Sequence, residues 1–264
     1  MARAVNVSAT GMVLMQQYLD VVAHNMANAN TGAFKSFVVN AKDLAYQTEI
    51  RPGVEVAVGQ ERLPAGVQFG LGAAVSSITR NLKQGELKPT PGNNLNIALS
   101  GHGFLQVNLE DGTTAYTRNG ALQINQDGEL VDLNGNTIVP GITVPDDAID
   151  ITITEGGVVE VGIQGQVEPE VLGTIEIARF SNPSGLEAIG NNLFLETAAS
   201  GEPTVGNPNE DGFASIKQYF LEESNANTIE LVANMVKVQR VYEQNAKCME
   251  TAAQMLKTAT DIRA

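Results

Sequence analysis

Apolar residues return at alternating steps of three and four along residues 1 to about 30. Val5, Met12, Met15, Leu19, Val22, Met26 and Ala29 form the row, with Ser8 in the same register. That spacing sets them on one side of an α-helix as a heptad seam. A second row, Gly11, Leu14, Tyr18, Val21, Asn25 and Asn28, runs beside it. One thin partner cannot cover both. The pattern predicts a helix ending near Asn30–Gly32, where Asn and Gly supply left-handed backbone and a C-terminal cap.

The other end of the chain, about 226 to 262, repeats the arrangement. Leu231, Met235, Val238, Tyr242, Asn245, Met249, Ala252, Leu256 and Ala259 form an unbroken heptad row. Val241, Cys248, Met255 and Ile262 add a second row that shares several of its members. Asn227 or Thr228 is placed to cap the start, with Glu230 favourably near the positive helix end.

Between these ends the period changes to two. "AYTRNGALQI", "DGELVDL", "AIDITI", "GVVEVGI" and "GTIEIARF" alternate apolar and polar residues. Asp111–Gly112, Asp127–Gly128, Asn134–Gly135 and Gly156–Gly157 punctuate them as turns. Short strands at this spacing predict an antiparallel barrel or sandwich-like module over about 76–210. Residues 35–75 and 211–225 are rich in Gly and Pro, lack periodicity, and read as extended connectors. The predicted class is α+β: paired, coiled-coil-like helices at 1–34 and 226–264, a central antiparallel all-β domain, and extended connectors.

Such helices close most naturally as an antiparallel pair, each covering one seam of the other. The remaining seams need another cover, since large exposed apolar faces mark interaction surfaces. Either the β module supplies it within a compact monomer, or neighbouring copies do. Head-to-tail contacts that do not close generate a helical filament.

Composition narrows the partners. The 264 residues carry 16 basic and 30 acidic side chains, a net charge of −14, with no basic patch. That argues against nucleic acid, whose phosphates need clustered Lys and Arg. Cys248 stands alone, so no internal disulfide and no Cys-based zinc site is expected. No run of about 18 apolar residues is present, so no membrane-spanning helix is expected. The apolar run Met12–Met15 is too short for a secretory signal, which predicts a cytosolic chain or one exported without cleavage.

Catalytic chemistry finds little to work with. His24 and His102 are the only histidines and show no metal-ligand spacing. "SGHGF" (Ser100–Phe104) lacks the surroundings of a dinucleotide site and reads as a tight turn into a strand. "NQDGEL" (Asn125–Leu130) lacks the ligand series of a calcium loop and reads as a hairpin turn. No nucleophile elbow and no P-loop occurs. No enzyme, cofactor or metal is expected.

The informative polar residues are asparagines. Asn25, Asn28, Asn225, Asn227 and Asn245 lie on or beside the seams. A buried Asn costs stability in a helical interface but fixes register and partner. Asn25 and Asn28 stand one turn apart, and the expectation is that they pair with backbone or amides on neighbouring helices. The alternative is helix capping and solvation, which suits Asn30 best.

Four motifs then point one way. "AHNMANANTGAFK" (Ala23–Lys35) resembles the N-terminal signature of bacterial flagellar rod and hook proteins, roughly ANNLANxNTxGFK. "SNANTIELVANMVKVQRVYEQNAK" (Ser224–Lys247) resembles that family's C-terminal signature. "SGHGFLQV" and "AYTRNGAL" resemble its β-domain motifs. "YQTEIRPG" (Tyr46–Gly53) with "LPAGVQFGLGAAV" (Leu63–Val75) resembles the insertion that marks distal-rod members and that hook proteins lack.

The resemblance implies a structural subunit of a straight, rigid helical tube that transmits torque and surrounds an export channel. It implies an inner layer from 1–34 and 226–264, an outer layer from 76–210, and a distal-rod segment within the connector. Inner-layer contacts fall to Leu19, Val22, Asn25, Met26, Asn28, Leu231, Met235, Val238, Tyr242, Asn245, Met249 and Leu256. Stiffening falls to Tyr46, Gln47, Arg51, Pro52, Gly53 and Leu63. Implied partners are further copies, proximal rod proteins, the hook protein, the L- and P-ring proteins, the rod cap and the flagellar type III export apparatus. The implied location is the basal body, from periplasm to outer membrane, reached without a cleaved signal. Within the family the alternative is a proximal rod or hook protein. Outside it, the alternative is a β-rich periplasmic ligand-binding module with helical oligomerisation tails. That reading wants an aromatic platform, and the chain has no Trp and five Tyr.

Overall fold

In a computed structural model of the chain, residues 2–52, 65–164, 168–210 and 212–263 are described. Two α-helices flank antiparallel β structure, an α+β arrangement. The chain divides into two compact units. A helical unit comprises Met1–Ala27, Phe37–Thr79 and Asn227–Ala264; a β-rich unit comprises Asn28–Ser36 and Arg80–Ala226.

In the helical unit, α1 (Ala2–Ala27) packs along α2 (Thr228–Arg263). Leu14 and Val22 are buried on α1, and Leu231, Val238 and Ala252 on α2. Gly11 makes room for Asn245: a Cβ added there would lie 2.9 Å from its side-chain nitrogen. Asn227 caps α2, its Oδ1 accepting from the Ile229 and Glu230 amides at 3.0 and 3.4 Å. That satisfies amides the first turn leaves without helical partners.

α1 stops at Ala27, short of the expected Asn30–Gly32. Asn28 diverts the backbone: its carbonyl accepts from the Thr31 amide and its side-chain oxygen from the Thr31 hydroxyl, both at 3.2 Å. Such local bonds compete with helix. The left-handed residue that follows is Ala33, with φ 56°, and neither Asn30 nor Gly32.

The Gly- and Pro-rich stretch after α1 is more ordered than a connector. It forms β1 (Phe37–Asp43), β2 (Tyr46–Ile50), β3 (Val67–Gly70) and β4 (Ala73–Arg80). β1 pairs with β4, and β2 with β3. Its glycines serve close approach. At Gly72, with φ 114°, a Cβ would fall 2.1 Å from Thr10 Oγ1 on α1. Period-two patterning misses these strands because β2 and β3 expose every residue and bury neither face.

The β-rich unit continues with β5 (Leu87–Pro89), β6 (Ile97–Ser100), β7 (Phe104–Asn108), β8 (Thr114–Thr117), β9 (Gln123–Ile124), β10 (Leu130–Val131) and β11 (Thr137–Ile138). Then follow β12 (Ala148–Ile153), β13 (Val158–Ile163), β14 (Glu170–Thr174), β15 (Ile177–Arg179), β16 (Glu187–Gly190), β17 (Leu193–Leu195), β18 (Thr204–Gly206), β19 (Ser215–Gln218) and β20 (Phe220–Glu222). The main sheet runs β16-β17-β8-β7-β11-β10-β9, with β15 also on β7 and β18 on β15. β12-β13-β14 form a second sheet; β6 pairs with β19 and β5 with β20. The segment 211–225, expected as connector, therefore supplies two strands. "GTIEIARF" is not one strand either: β14 and β15 belong to different sheets.

β7 shows why the core is dense here. Leu105 and Val107 enter the main core with Ile138, Val161 and Ile177, while Phe104 turns to a second cluster with Tyr116, Phe180 and Phe194. Both faces are covered, so polar alternation fades. All four predicted dipeptide turns form. The amides of Gly112, Gly128, Gly135 and Gly157 each donate to the carbonyl three residues back, at 3.0–3.1 Å.

Candidate functional site

The asparagines resolve into backbone clamps. Asn25 is 3% exposed. Its Nδ2 donates to the Phe37 carbonyl and its Oδ1 accepts from the Phe37 amide, both at 2.8 Å. The amide thus stands in for a neighbouring strand at the point where the chain re-enters the helical unit. Within its own chain, both polar ends of Asn25 are engaged by the Phe37 backbone and not by another helix.

In the β-rich unit Asn225 does the same one residue earlier. Its Oδ1 accepts from the Ser36 amide at 2.8 Å, and its Nδ2 donates to the Asn81 and Lys83 carbonyls at 2.6 and 3.0 Å. Gln218 closes the edge of β12 in like manner, accepting from the Ile153 amide at 3.2 Å and donating to the Ile151 carbonyl at 2.8 Å.

The same unit holds a buried charge cluster. Glu222 Oε1 pairs with Lys35 Nζ and accepts from the Gly85 amide at 2.8 Å. Its Oε2 accepts from Arg118 Nε at 2.9 Å. Lys35 also donates to the Lys83 carbonyl at 2.9 Å. Arg118 donates to the carbonyls of Gly103, Gly101 and Leu99 at 2.9–3.3 Å. All three side chains are buried. Burial pushes the Lys35 ammonium below its ordinary range, and Arg118 adds to that, while the hydrogen bond and charge of Glu222 act the other way. Sequence reading placed Lys35 and Arg118 inside motifs but gave them no task, and passed over Glu222. The signal available was three charges in apolar or glycine-rich surroundings.

The residues assigned to inner-layer contacts fall into three groups. Val22, Asn25, Leu231 and Val238 are buried within the chain. Leu19, Met26, Asn28, Met235, Asn245 and Met249 are half-buried. Tyr242 and Leu256 are exposed, and so is Met255 beside Leu256. For Leu256 and Met255 the physical reason is length, since α2 has 36 residues and α1 has 26; Tyr242, between the buried Val238 and Ala252, lies where α1 still runs alongside. At 1.5 Å per residue α2 is roughly 15 Å longer. Beyond Ala252 every residue of α2 through Asp261 is exposed. The opposite side of α2 exposes Ile229, Val232 and Val236 near its start.

Of the residues assigned to stiffening, Tyr46 and Gln47 lie on β2, opposite Gly70 and Phe69 of β3. Both are exposed, as are Arg51 and Pro52 just beyond β2. The nearby Asp43 carboxylate raises the Tyr46 phenol above its usual value. Gly53 and Leu63 lie outside the described residues. The hairpin leaves Tyr46, Ile50, Val67 and Phe69 open to solvent, although Arg3 of α1 stacks on the Phe69 ring at 4.6 Å.

Among the described residues no group of three or more His, Cys, Asp or Glu is placed to hold a metal ion. None of the helices described is long and apolar enough to cross a membrane. His24 sits against the Phe37 ring, centroids 5.3 Å apart.

Two family profiles match the chain. Residues 98–161 match the "Flagellar hook protein FlgE/F/G D1 domain", and 217–262 match "Flagellar basal body rod FlgEFG protein C-terminal". Similarity to individual proteins runs end to end. The "Flagellar basal-body rod protein FlgG" of Caulobacter vibrioides is 40% identical, over 99% of each chain. The protein of that name from Borreliella burgdorferi is 40% identical, over 100% of this chain and 99% of its own. That of Bacillus subtilis is 30% identical over the whole of both. With the helix-flanked β architecture and full-length matches at these identities, the chain belongs to the FlgE/F/G family of flagellar hook and basal-body rod proteins.

Proposed function

We propose that this chain is a structural subunit of the flagellar basal-body rod, in its distal section, and works as an assembled polymer. The end-to-end match to rod proteins named FlgG carries this reading. The helical unit supports it: α2 extends past α1 and leaves Met255 and Leu256 exposed. Each such side chain contributes roughly 1.5–3 kcal/mol when fully buried, so a neighbour that covers them is favoured.

On this reading the terminal helices pack as coiled-coil-like pairs around an export channel, and the β-rich unit forms the outer layer. The hairpin β2–β3 lies in the distal-rod segment and stiffens the tube against its neighbours. Torque passes through many repeated packing contacts. The partners are further copies, the proximal rod below, the hook above, the L- and P-ring proteins around it, the rod cap and the type III export apparatus. The rod spans the periplasm to the outer membrane, and subunits arrive without a cleaved signal.

Negative-stain imaging of the purified chain at rising concentration tests the assembly. Straight tubes are expected above a threshold concentration; monomers throughout would overturn the reading. Removing residues 46–63 tests the section. Tubes that remain straight and stiff without them would overturn the distal assignment.

A further inference from the structure

Two surfaces of the helical unit complement each other but lie on different elements. The first is a shallow apolar cleft of about 300 Å³, lined by Gln17, Asp20, Val21 and His24 of α1, with Phe37 of β1 and Ile78 of β4. Asp20 is exposed there, and among the described residues it makes no ion pair. The second is the first part of α2. Ile229, Val232, Val236 and Arg240 recur at steps of three, four and four, so they share one side of the helix. That side is opposite Leu231 and Val238, which are buried. Ile229 is 81% exposed, and Val232 and Val236 are open as well. Arg240, also exposed, ends the apolar row and makes no ion pair among the described residues.

We infer that the α2 ridge Ile229–Val232–Val236 of one copy seats in the α1–β1–β4 cleft of a second copy, with Arg240 meeting Asp20. The cleft offers apolar walls and one carboxylate; the ridge offers branched aliphatic side chains and one guanidinium. The occupant is another copy of this chain because both halves of the match are on it. The pairing deepens the rod-subunit reading and rests on it. The two surfaces are different, so the contact is head-to-tail: each added copy presents a fresh cleft or a fresh ridge. Lys or Arg at the position of Asp20 would oppose the incoming guanidinium, and the like-charge contact would select against the register.

Charge reversal tests the pairing in the full chain. Asp20→Arg and Arg240→Asp should each raise the concentration needed for sedimentable polymer by about tenfold or more. Combining them should return it to within roughly twofold of the wild type, as a restored pair predicts. A second measurement does not need long polymers. In a Cys248→Ser background, Val21→Cys chains mixed with Val232→Cys chains should form a disulfide-linked dimer under mild oxidation, and neither should do so alone. If the wild type polymerises but the double reversal fails to rescue and the mixed dimer is absent, the pairing is wrong and the rod reading stands. If the wild type stays monomeric at every concentration, the rod reading fails and the pairing with it.

Discussion

Lys35 and Glu222 stand 187 positions apart in the chain and meet as ammonium and carboxylate inside the β-rich unit. Arg118 binds the other carboxylate oxygen. One buried anion therefore holds two buried cations, which makes Glu222 the member the cluster can least spare. Glu222→Gln should destabilise the unit by about 3–5 kcal/mol, because it leaves two like charges buried together. Lys35→Met should cost less, since Glu222 and Arg118 remain as a balanced pair. Urea unfolding followed by circular dichroism gives the order. Equal losses from the two changes would show that the cluster has no central member.

Lys35 also carries a pH signature. Its folded-state pKa is lowered from 10.5, first by burial, so between that lowered value and 10.5 the unfolded chain binds more protons than the folded one. Stability from this group is complete above 10.5 and is lost as pH falls through the folded value. The gap in unfolding free energy, wild type minus Lys35→Met, should therefore widen in favour of the wild type as pH rises toward 10.5. Denaturant titrations at a series of pH values measure it. A gap that narrows would mean that attraction to Glu222 outweighs burial.

The Asn25 clamp makes a different prediction from an asparagine kept for a neighbouring chain. Asn25→Leu removes both bonds to Phe37 and should cost the isolated chain about 1–3 kcal/mol. Amide hydrogen exchange at Phe37 should speed up in the monomer. An Asn25→Leu monomer as stable and as protected as the wild type would return the residue to the subunit interface.

These residues mark how far the sequence could be read. Heptad rows placed both helices, because a buried helical side repeats every three or four residues. Dipeptide turns placed the hairpins, because only a few residues accept left-handed backbone. β2 and β3 stayed hidden, since strands that expose every residue have no apolar face to alternate. Glu222 stayed hidden for a related reason: one of two adjacent acids beside a motif looks as solvated as its neighbour Glu223 until the fold brings Lys35 and Arg118 to it. Asn25 stands out in the sequence, but its partner within the chain is a backbone segment 12 residues on. Polar periodicity shows that a residue is constrained; it does not show by what.

Leu256 and Val238 lie on the same heptad row of α2, yet they should fail in opposite ways. Val238 is 8% exposed and packs within the chain. Val238→Asp buries a carboxylate without a partner, so the monomer itself should lose about 3 kcal/mol or more. Leu256 is 38% exposed, on the stretch where α2 continues beyond α1. Leu256→Asp should leave monomer stability within about 0.5 kcal/mol of the wild type. Its effect should appear in polymerisation, where a charge on a face that a neighbour must cover resists desolvation. Sedimentation at matched concentrations separates the two outcomes. A folded Leu256→Asp chain that polymerises like the wild type would mean that the far end of α2 stays wet in the assembly, and that the inner contacts stop at Ala252.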